Sequence, residues 1–265
     1  MKYPDIDPVL VHLGPIQIRW YGLMYVIGFV LAFIIMLHMS RRRNNDLTRT
    51  EIEDLFAYCI LGLIIGARLG YCAFYNLGYY LSNPIKILAV WEGGMSFHGG
   101  LIGMILVGWL FSVRRKKPFF MLADLAAIAA PPGLFFGRIG NFINGELYGR
   151  VTQAPWGMVF PDGGPLPRHP SQLYEAFFEG IVLLIIIYGL SFRTKVHGTL
   201  LASFLICYGG MRFCIEFLRQ PDTQLGFVFG NLTMGQILCL LMLGFGFALL
   251  LTVRFLTDKR GSAKA

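Results

Sequence analysis

The sequence predicts an all-α integral membrane protein of about seven transmembrane helices, and three observations carry the prediction. Hydrophobic residues make up 55% of the 265-residue chain and charged residues 14%, against about 25% charged in a typical soluble domain. Apolar windows long enough to cross a hydrocarbon core, about 20 helical residues for about 30 Å, recur along the chain, whose mean hydropathy is +0.60. The basic clusters fall at alternate window ends, as the positive-inside rule requires of cytoplasmic loops.

The windows lie near 18–38, 53–75, 96–113, 119–141, 172–191, 198–218 and 233–253. The residues before the first, MKYPDIDPVLVHLGP, are nearly uncharged, and Arg41, Arg42 and Arg43 come after it. The first window is therefore not a secretory signal, and the N-terminus is expected outside, in the periplasm. Arg114-Arg115-Lys116-Lys117 follow the third window, Arg193 and Lys195 the fifth, and Arg254, Lys259, Arg260 and Lys264 the seventh. The C-terminus is thus expected in the cytoplasm. The fourth window contains Pro131-Pro132, which predicts a kinked or broken helix. The net charge of +8 then reads as a topology signal that also holds anionic headgroups. It does not point to nucleic acid.

Residues 1–265 read as a single polytopic membrane domain. The longest stretches between spans, 76–95 and 142–171, are rich in Gly, Pro and aromatic residues and are expected to form a small periplasmic cap. Cys59, Cys72, Cys207, Cys214 and Cys239 lie within spans without CxxC spacing, as small packing residues do. With no GxxxxGK[ST] loop, HExxH pair or clustered carboxylate site, neither a nucleotide cofactor nor a metal is expected.

Given this topology, the second, fourth and sixth spans run outward, and Arg68, Arg138 and Arg212 fall in their outer halves. Insertion scales put an arginine at a helix centre at about 2.5–3.5 kcal/mol, so three at one level call for an anion, fixed partners or a water-filled cavity. For Arg68, near its helix end, the alternative is snorkelling toward headgroups. Tyr208, Arg212, Glu216 and Arg219 share one helix face, and a structural Arg212–Glu216 pair is the alternative there. Arg138 is followed by Asn141, Asn144 and Glu146, a polar knot that packing does not require. In WEGGMSFHGG (91–100), His98 stands among four glycines at the outer end of the third span. Those glycines suit close helix approach, and the histidine either takes a proton near neutral pH or serves as a structural hydrogen-bonder.

Six blocks, in order, resemble those of the prolipoprotein diacylglyceryl transferases, membrane enzymes of bacterial lipoprotein maturation. They are RWYGLMY (19–25), GARLGY (66–71), WEGGMSFHGG (91–100), GRIGNFINGELYGR (137–150), LPRHPSQLYE (166–175) and YGGMRFCIEFLRQPD (208–222). The resemblance implies transfer of the diacylglyceryl group of phosphatidylglycerol to the lipobox cysteine thiol of a preprolipoprotein. A thioether forms and glycerol phosphate leaves, at the outer leaflet of the bacterial inner membrane. No cofactor is implied, because the phosphodiester is already an activated leaving group.

Carried onto this chain, the resemblance implies that Arg138 and Arg212 bind the phosphate and stabilise the leaving group. His98 becomes the candidate base for the thiol, or a residue that orients the site. Tyr208 and Tyr21 are implied near the site, Asn141, Glu146 and Gly149 in headgroup or loop-anchoring roles, Glu216 as the group that fixes Arg212, and Arg219 at the outer mouth. Arg68 and Asn144 complete the expected substrate-binding set on the residue reading given above. An anion transporter would place charges in the inner halves of the spans as well, and those halves are almost purely apolar. A purely structural role for the arginines would leave activity intact in Arg138→Ala and His98→Ala.

Overall fold

The computed structural model describes residues 1–14, 16–220, 227–230 and 232–262. Pro221 and Asp222 of the last sequence block, and Lys264 of the last basic cluster, lie outside them, as does the side chain of Arg260. Seven helices among the described residues are long and apolar enough to cross a membrane. They are α1 (Trp20–Arg42), α2 (Arg49–Tyr75), α4 (Phe97–Arg115), α5 (Phe119–Ile143), α6 (Ser171–Ser191), α7 (Thr199–Glu216) and α8 (Met234–Ser262). A short helix, α3 (Leu77–Ser82), lies between the second and third. Two antiparallel hairpins complete the fold: β1 (Val9–Leu13) with β2 (Ile16–Arg19), and β3 (Phe227–Phe229) with β4 (Leu232–Thr233).

Local sequence sets the helix ends. Thr48 accepts from the Glu51 amide while the Glu51 carboxylate accepts from the Thr48 amide, a capping box that starts α2. Thr233 and Gln236 make the same reciprocal pair at the start of α8. Ser96 caps α4 through the Gly99 amide. Lys116, in the left-handed conformation, ends α4.

The expected break at Pro131-Pro132 does not occur: α5 runs continuously through both residues. Proline's fixed φ is itself helical, and consecutive prolines confine the missing donors to two adjacent positions. Helix α1 also packs closely here, since a Cβ on Gly28 would stand 3.1 Å from the Gly133 Cα.

The chain divides into two compact units, Leu37–Ala123 and Met1–Met36 with Asp124–Ala265. In the first, α2 and α4 cross through glycine: Gly62, Gly66 and Gly70 meet Gly99 and Gly103 backbone to backbone. The stretch after α2 is α3 followed by two 3-10 turns, and it leaves Leu81, Ile85, Leu88 and Trp91 highly exposed.

In the second unit, Asp124 near the start of α5 accepts from the amides of Gly198 (3.0 Å) and Leu201 (2.9 Å). A carboxylate thereby satisfies the orphan donors of the α7 N-terminus and opposes its dipole, and the two helices start on the same side. Residues 142–171 are compact, pinned by bridges of Val151 and Met158 to Arg168. Tyr3, Phe142, Tyr148 and Phe160 form their aromatic core. The Tyr3 hydroxyl bonds the Phe142 carbonyl at 2.6 Å, satisfying an acceptor at the end of α5.

Candidate active site

Helix α6 supplies the acids of the site. Glu175 and Glu179 are one turn apart, and the helix widens to a π-helical segment over Ala176–Val182, a feature often found at functional sites. Gly180 allows the widened backbone to lie against α5, since a Cβ there would come within 2.5 Å of the Phe135 Cβ. Glu175 is 1% exposed and Glu179 fully buried.

Two arginines from different helices meet the first of these acids. Arg138 Nε of α5 is 2.6 Å from Glu175 Oε2, and Arg212 Nη1 of α7 is 3.1 Å from Glu175 Oε1. Arg212 also lies 3.8 Å from Glu179 Oε1 and 2.7 Å from Glu216 Oε2. Glu216 in turn accepts from the Thr233 hydroxyl at 3.0 Å, and Gly235 leaves room for its carboxylate. The expected Arg212–Glu216 contact is therefore present, but as one of three carboxylates around this arginine.

The polar knot after Arg138 is a chain of hydrogen bonds. Arg138 Nη1 donates to Asn141 Oδ1 at 3.4 Å, while Asn141 (2.9 Å) and Asn144 (3.1 Å) both donate to Glu146 Oε1. The Arg138 Nη2 group has no partner among the described residues. Tyr21 packs on the same helix, where a Cβ on Gly140 would meet its ring at 2.8 Å, and its hydroxyl pairs with that of Tyr25. Tyr208 stacks on Phe204 one turn before Arg212.

Gly149 and Arg219 pair backbone to backbone beyond the helix ends. The Gly149 amide donates to His169 O, and Arg150 donates from its amide to Leu218 O and from Nε to Arg219 O. Any Cβ on Gly149 would stand 2.6 Å from the Leu218 carbonyl. Gln172 and Ser171 at the head of α6 bond the carbonyls of Glu146 and Leu147. The end of α5, the start of α6 and the end of α7 are thus tied together around the arginines.

Arg68 and His98 belong to the other compact unit. Arg68 is 3% exposed and donates to four backbone carbonyls: Nε to Ile87 (2.8 Å), Nη2 to Lys86, and Nη1 to Gly93 and to Gly94 (3.2 Å). Its guanidinium also lies over the Tyr80 ring. It neither snorkels nor stands free; it holds the loop that leads into α4. His98 is exposed in the first turn of α4, with its ring edge-on to Phe97.

Glu175 and Glu179 are the functional candidates that sequence reasoning missed. Their signal was the spacing of two acids four apart inside an apolar span: Glu175 closes the block LPRHPSQLYE and Glu179 follows four residues later.

Comparisons with known proteins cover nearly the whole chain. The family model for prolipoprotein diacylglyceryl transferase matches residues 8–252. A Geobacter sulfurreducens protein named phosphatidylglycerol--prolipoprotein diacylglyceryl transferase is 51% identical over 260 residues, covering 98% of each chain. A Coxiella burnetii protein of the same name is 53% identical over 247 residues, 93% of this chain and 95% of its own. One from Nitratidesulfovibrio vulgaris is 50% identical over 251 residues, 94% of this chain and 95% of its own. With the family model spanning nearly all of the chain and half of the residues shared with these relatives, the chain belongs to the prolipoprotein diacylglyceryl transferase family.

Proposed function

We propose that the protein transfers the diacylglyceryl group of phosphatidylglycerol to the lipobox cysteine of a preprolipoprotein, the first step of lipoprotein maturation. The observation that carries this reading is the convergence of Arg138 and Arg212 on a single buried anion. A site that holds a carboxylate between two guanidinium groups has the charge and geometry to hold a phosphodiester.

In this reaction the cysteine sulfur attacks the glyceryl carbon that carries the phosphate oxygen. The carbon–oxygen bond breaks with its electron pair going to the phosphate, and a thioether and glycerol phosphate result. Charge grows on the leaving phosphate, where fixed guanidinium donors in a dry site lower the barrier. Arg138, with Nη2 uncommitted, grips the phosphate; Arg212 holds the field that favours it. His98, exposed at the start of α4, takes the thiol proton, since a thiol of pKa about 8.5 is mostly protonated at neutral pH. Tyr21, Tyr208, Asn141, Asn144, Glu146, Gly149 and Arg219 shape the pocket for the headgroup, Glu216 fixes Arg212, and Arg68 acts through the loop it holds.

The basic clusters orient the chain with its N-terminus in the periplasm and its C-terminus in the cytoplasm of a bacterial inner membrane. The site then opens to the outer leaflet. Residues 142–171 form a small periplasmic cap, and the exposed apolar side chains of 76–95 rest at the lipid interface.

The test is incubation of the purified protein with phosphatidylglycerol and a lipobox peptide, followed by mass spectrometry of the peptide cysteine. A diacylglyceryl adduct is expected from wild type, and from folded Arg138→Ala only at a rate about 10²–10³-fold lower. Absence of the adduct from folded wild type with several lipobox peptides would count against the assignment.

A further inference from the structure

Three acids surround the two arginines of the site. Arg138 and Arg212 make direct ion pairs with Glu175, Glu179 and Glu216, and Arg219 is the third cation near them, so the fully ionised cluster has no positive charge to spare for a further anion. Glu216 is held by Thr233 and Arg212 together. Glu179 is held by little: its ion pair is the 3.8 Å contact with Arg212, against 2.6 and 3.1 Å for those of Glu175. A buried, weakly paired carboxylate is costly to keep charged.

A phosphate arriving between the two arginines meets two obstacles. Glu175 already occupies that position with one oxygen toward each guanidinium. An added anion would also leave an uncompensated negative charge in a low-dielectric site, which a proton can neutralise where solvent cannot.

We propose that Glu175 is a resident stand-in for the substrate phosphate, and that the Glu175–Glu179 pair takes up a proton when an anionic phospholipid headgroup displaces it. This rests on the transferase reading above and adds a proton to the binding step. The groups that face the pair are Arg138 of α5, Tyr208, Arg212 and Glu216 of α7, Arg219 just beyond it, and Cys239 of α8. Of the acids, Glu179 has the least bonding to lose on protonation. When the product phosphate leaves, Glu175 returns to the arginines, so the same carboxylate competes against product retention.

The experiment is calorimetric titration of the full chain in detergent with a short-chain phosphatidylglycerol, at one pH in two buffers of different ionisation enthalpy. Wild type is expected to take up about one proton per lipid bound. Glu175→Gln is expected to bind about tenfold tighter, the size of an ordinary coupling between sites, with the uptake lost. Glu179→Gln should also lose the uptake, and it decides together with wild type if Glu175→Gln does not fold. Binding and adduct formation by wild type without proton uptake would overturn the proposal while leaving the transferase reading intact, as would unchanged or weaker binding by folded Glu175→Gln. Failure of wild type to bind the anionic lipid or form the adduct would instead overturn the transferase reading, and this proposal with it.

Discussion

Arg138 and Arg212 grip opposite oxygens of the same buried carboxylate, yet they are not equivalent. Arg138 makes one ion pair and its side chain is 20% exposed, whereas Arg212 is surrounded by three carboxylates at 10%. Removing Arg212 takes the ion-pair partner from Glu179 and Glu216 and leaves Glu175 with Arg138 alone, so Arg212→Ala should lose about 3–5 kcal/mol of stability, as broken buried pairs do. Arg138→Ala should melt nearer to wild type but turn over about 10²–10³-fold more slowly, the usual cost of one preorganised donor. Thermal unfolding and adduct formation measured on both variants check the division; equal melting points would refute it.

Arg68 makes a different prediction, because its donors are used on backbone. Four carbonyls between Lys86 and Gly94 accept from it, and Ser96, which caps α4 two residues later, is tied to α2 by the hydrogen bond its amide donates to Ala67 O. Arg68→Lys keeps the charge but not the fork of donors. Hydrogen exchange over residues 84–96 should accelerate in that variant, and kcat should fall, by up to about 10²-fold if the His98 turn shifts by an ångström, with KM for the lipid little changed. A rise in KM alone would mean that Arg68 touches the headgroup itself.

The spans were legible because hydropathy sums over some twenty residues, and neither Arg68 nor the two glutamates of α6 alter such a sum enough to hide a helix. The partners of the arginines were less legible, for two separate reasons. Those of Arg68 are carbonyls, which every residue carries, so no side chain advertises them. Those of Arg138 are distributed between α5 and α6, and the requirement that buried arginines be neutralised pointed to acids without pointing to which. Scanning the apolar spans for acids four residues apart would have isolated Glu175 and Glu179. The hairpins at Val9–Arg19 and Phe227–Thr233 fall in short stretches beside spans, where the apolar window overwhelms the alternation of a strand. The continuous α5 lies close against α1 at Gly28 and Gly133, a relationship between helices that the Pro-Pro pair alone does not reveal.

His169 gives a prediction in pH. Its Nδ1 is 3.1 Å from the Tyr174 hydroxyl, and burial lowers its pKa from the ordinary value of 6.5. The folded protein thus favours the neutral ring, and between the two pKa values the unfolded chain binds more protons. The contribution is fully present above pH 6.5 and is lost as pH falls from there toward the folded value. The melting temperature of wild type should therefore drop more steeply than that of His169→Gln on acidification below pH 6.5. Parallel curves would remove this histidine from the acid response.

The close crossing of α2 and α4 at glycine makes the last prediction. A Cβ on Gly66 would stand 2.4 Å from the Gly99 carbonyl, and one on Gly99 would stand 2.4 Å from the Gly66 carbonyl. Both obstacles are backbone, so rotating a side chain relieves neither; α2 and α4 would have to separate. Gly78 offers a control in the same unit, with nothing within 4 Å of its Cβ position. Gly66→Ala and Gly99→Ala should each lose about 1–3 kcal/mol or more, the range for overpacked cores, while Gly78→Ala should not. The double variant decides whether the two sites are coupled: once the helices have been forced apart by one methyl, the second should cost less than it does alone. Thermal melts of wild type and the four variants in one detergent provide the comparison, and full additivity would mean that the crossing yields locally at each glycine rather than as a unit.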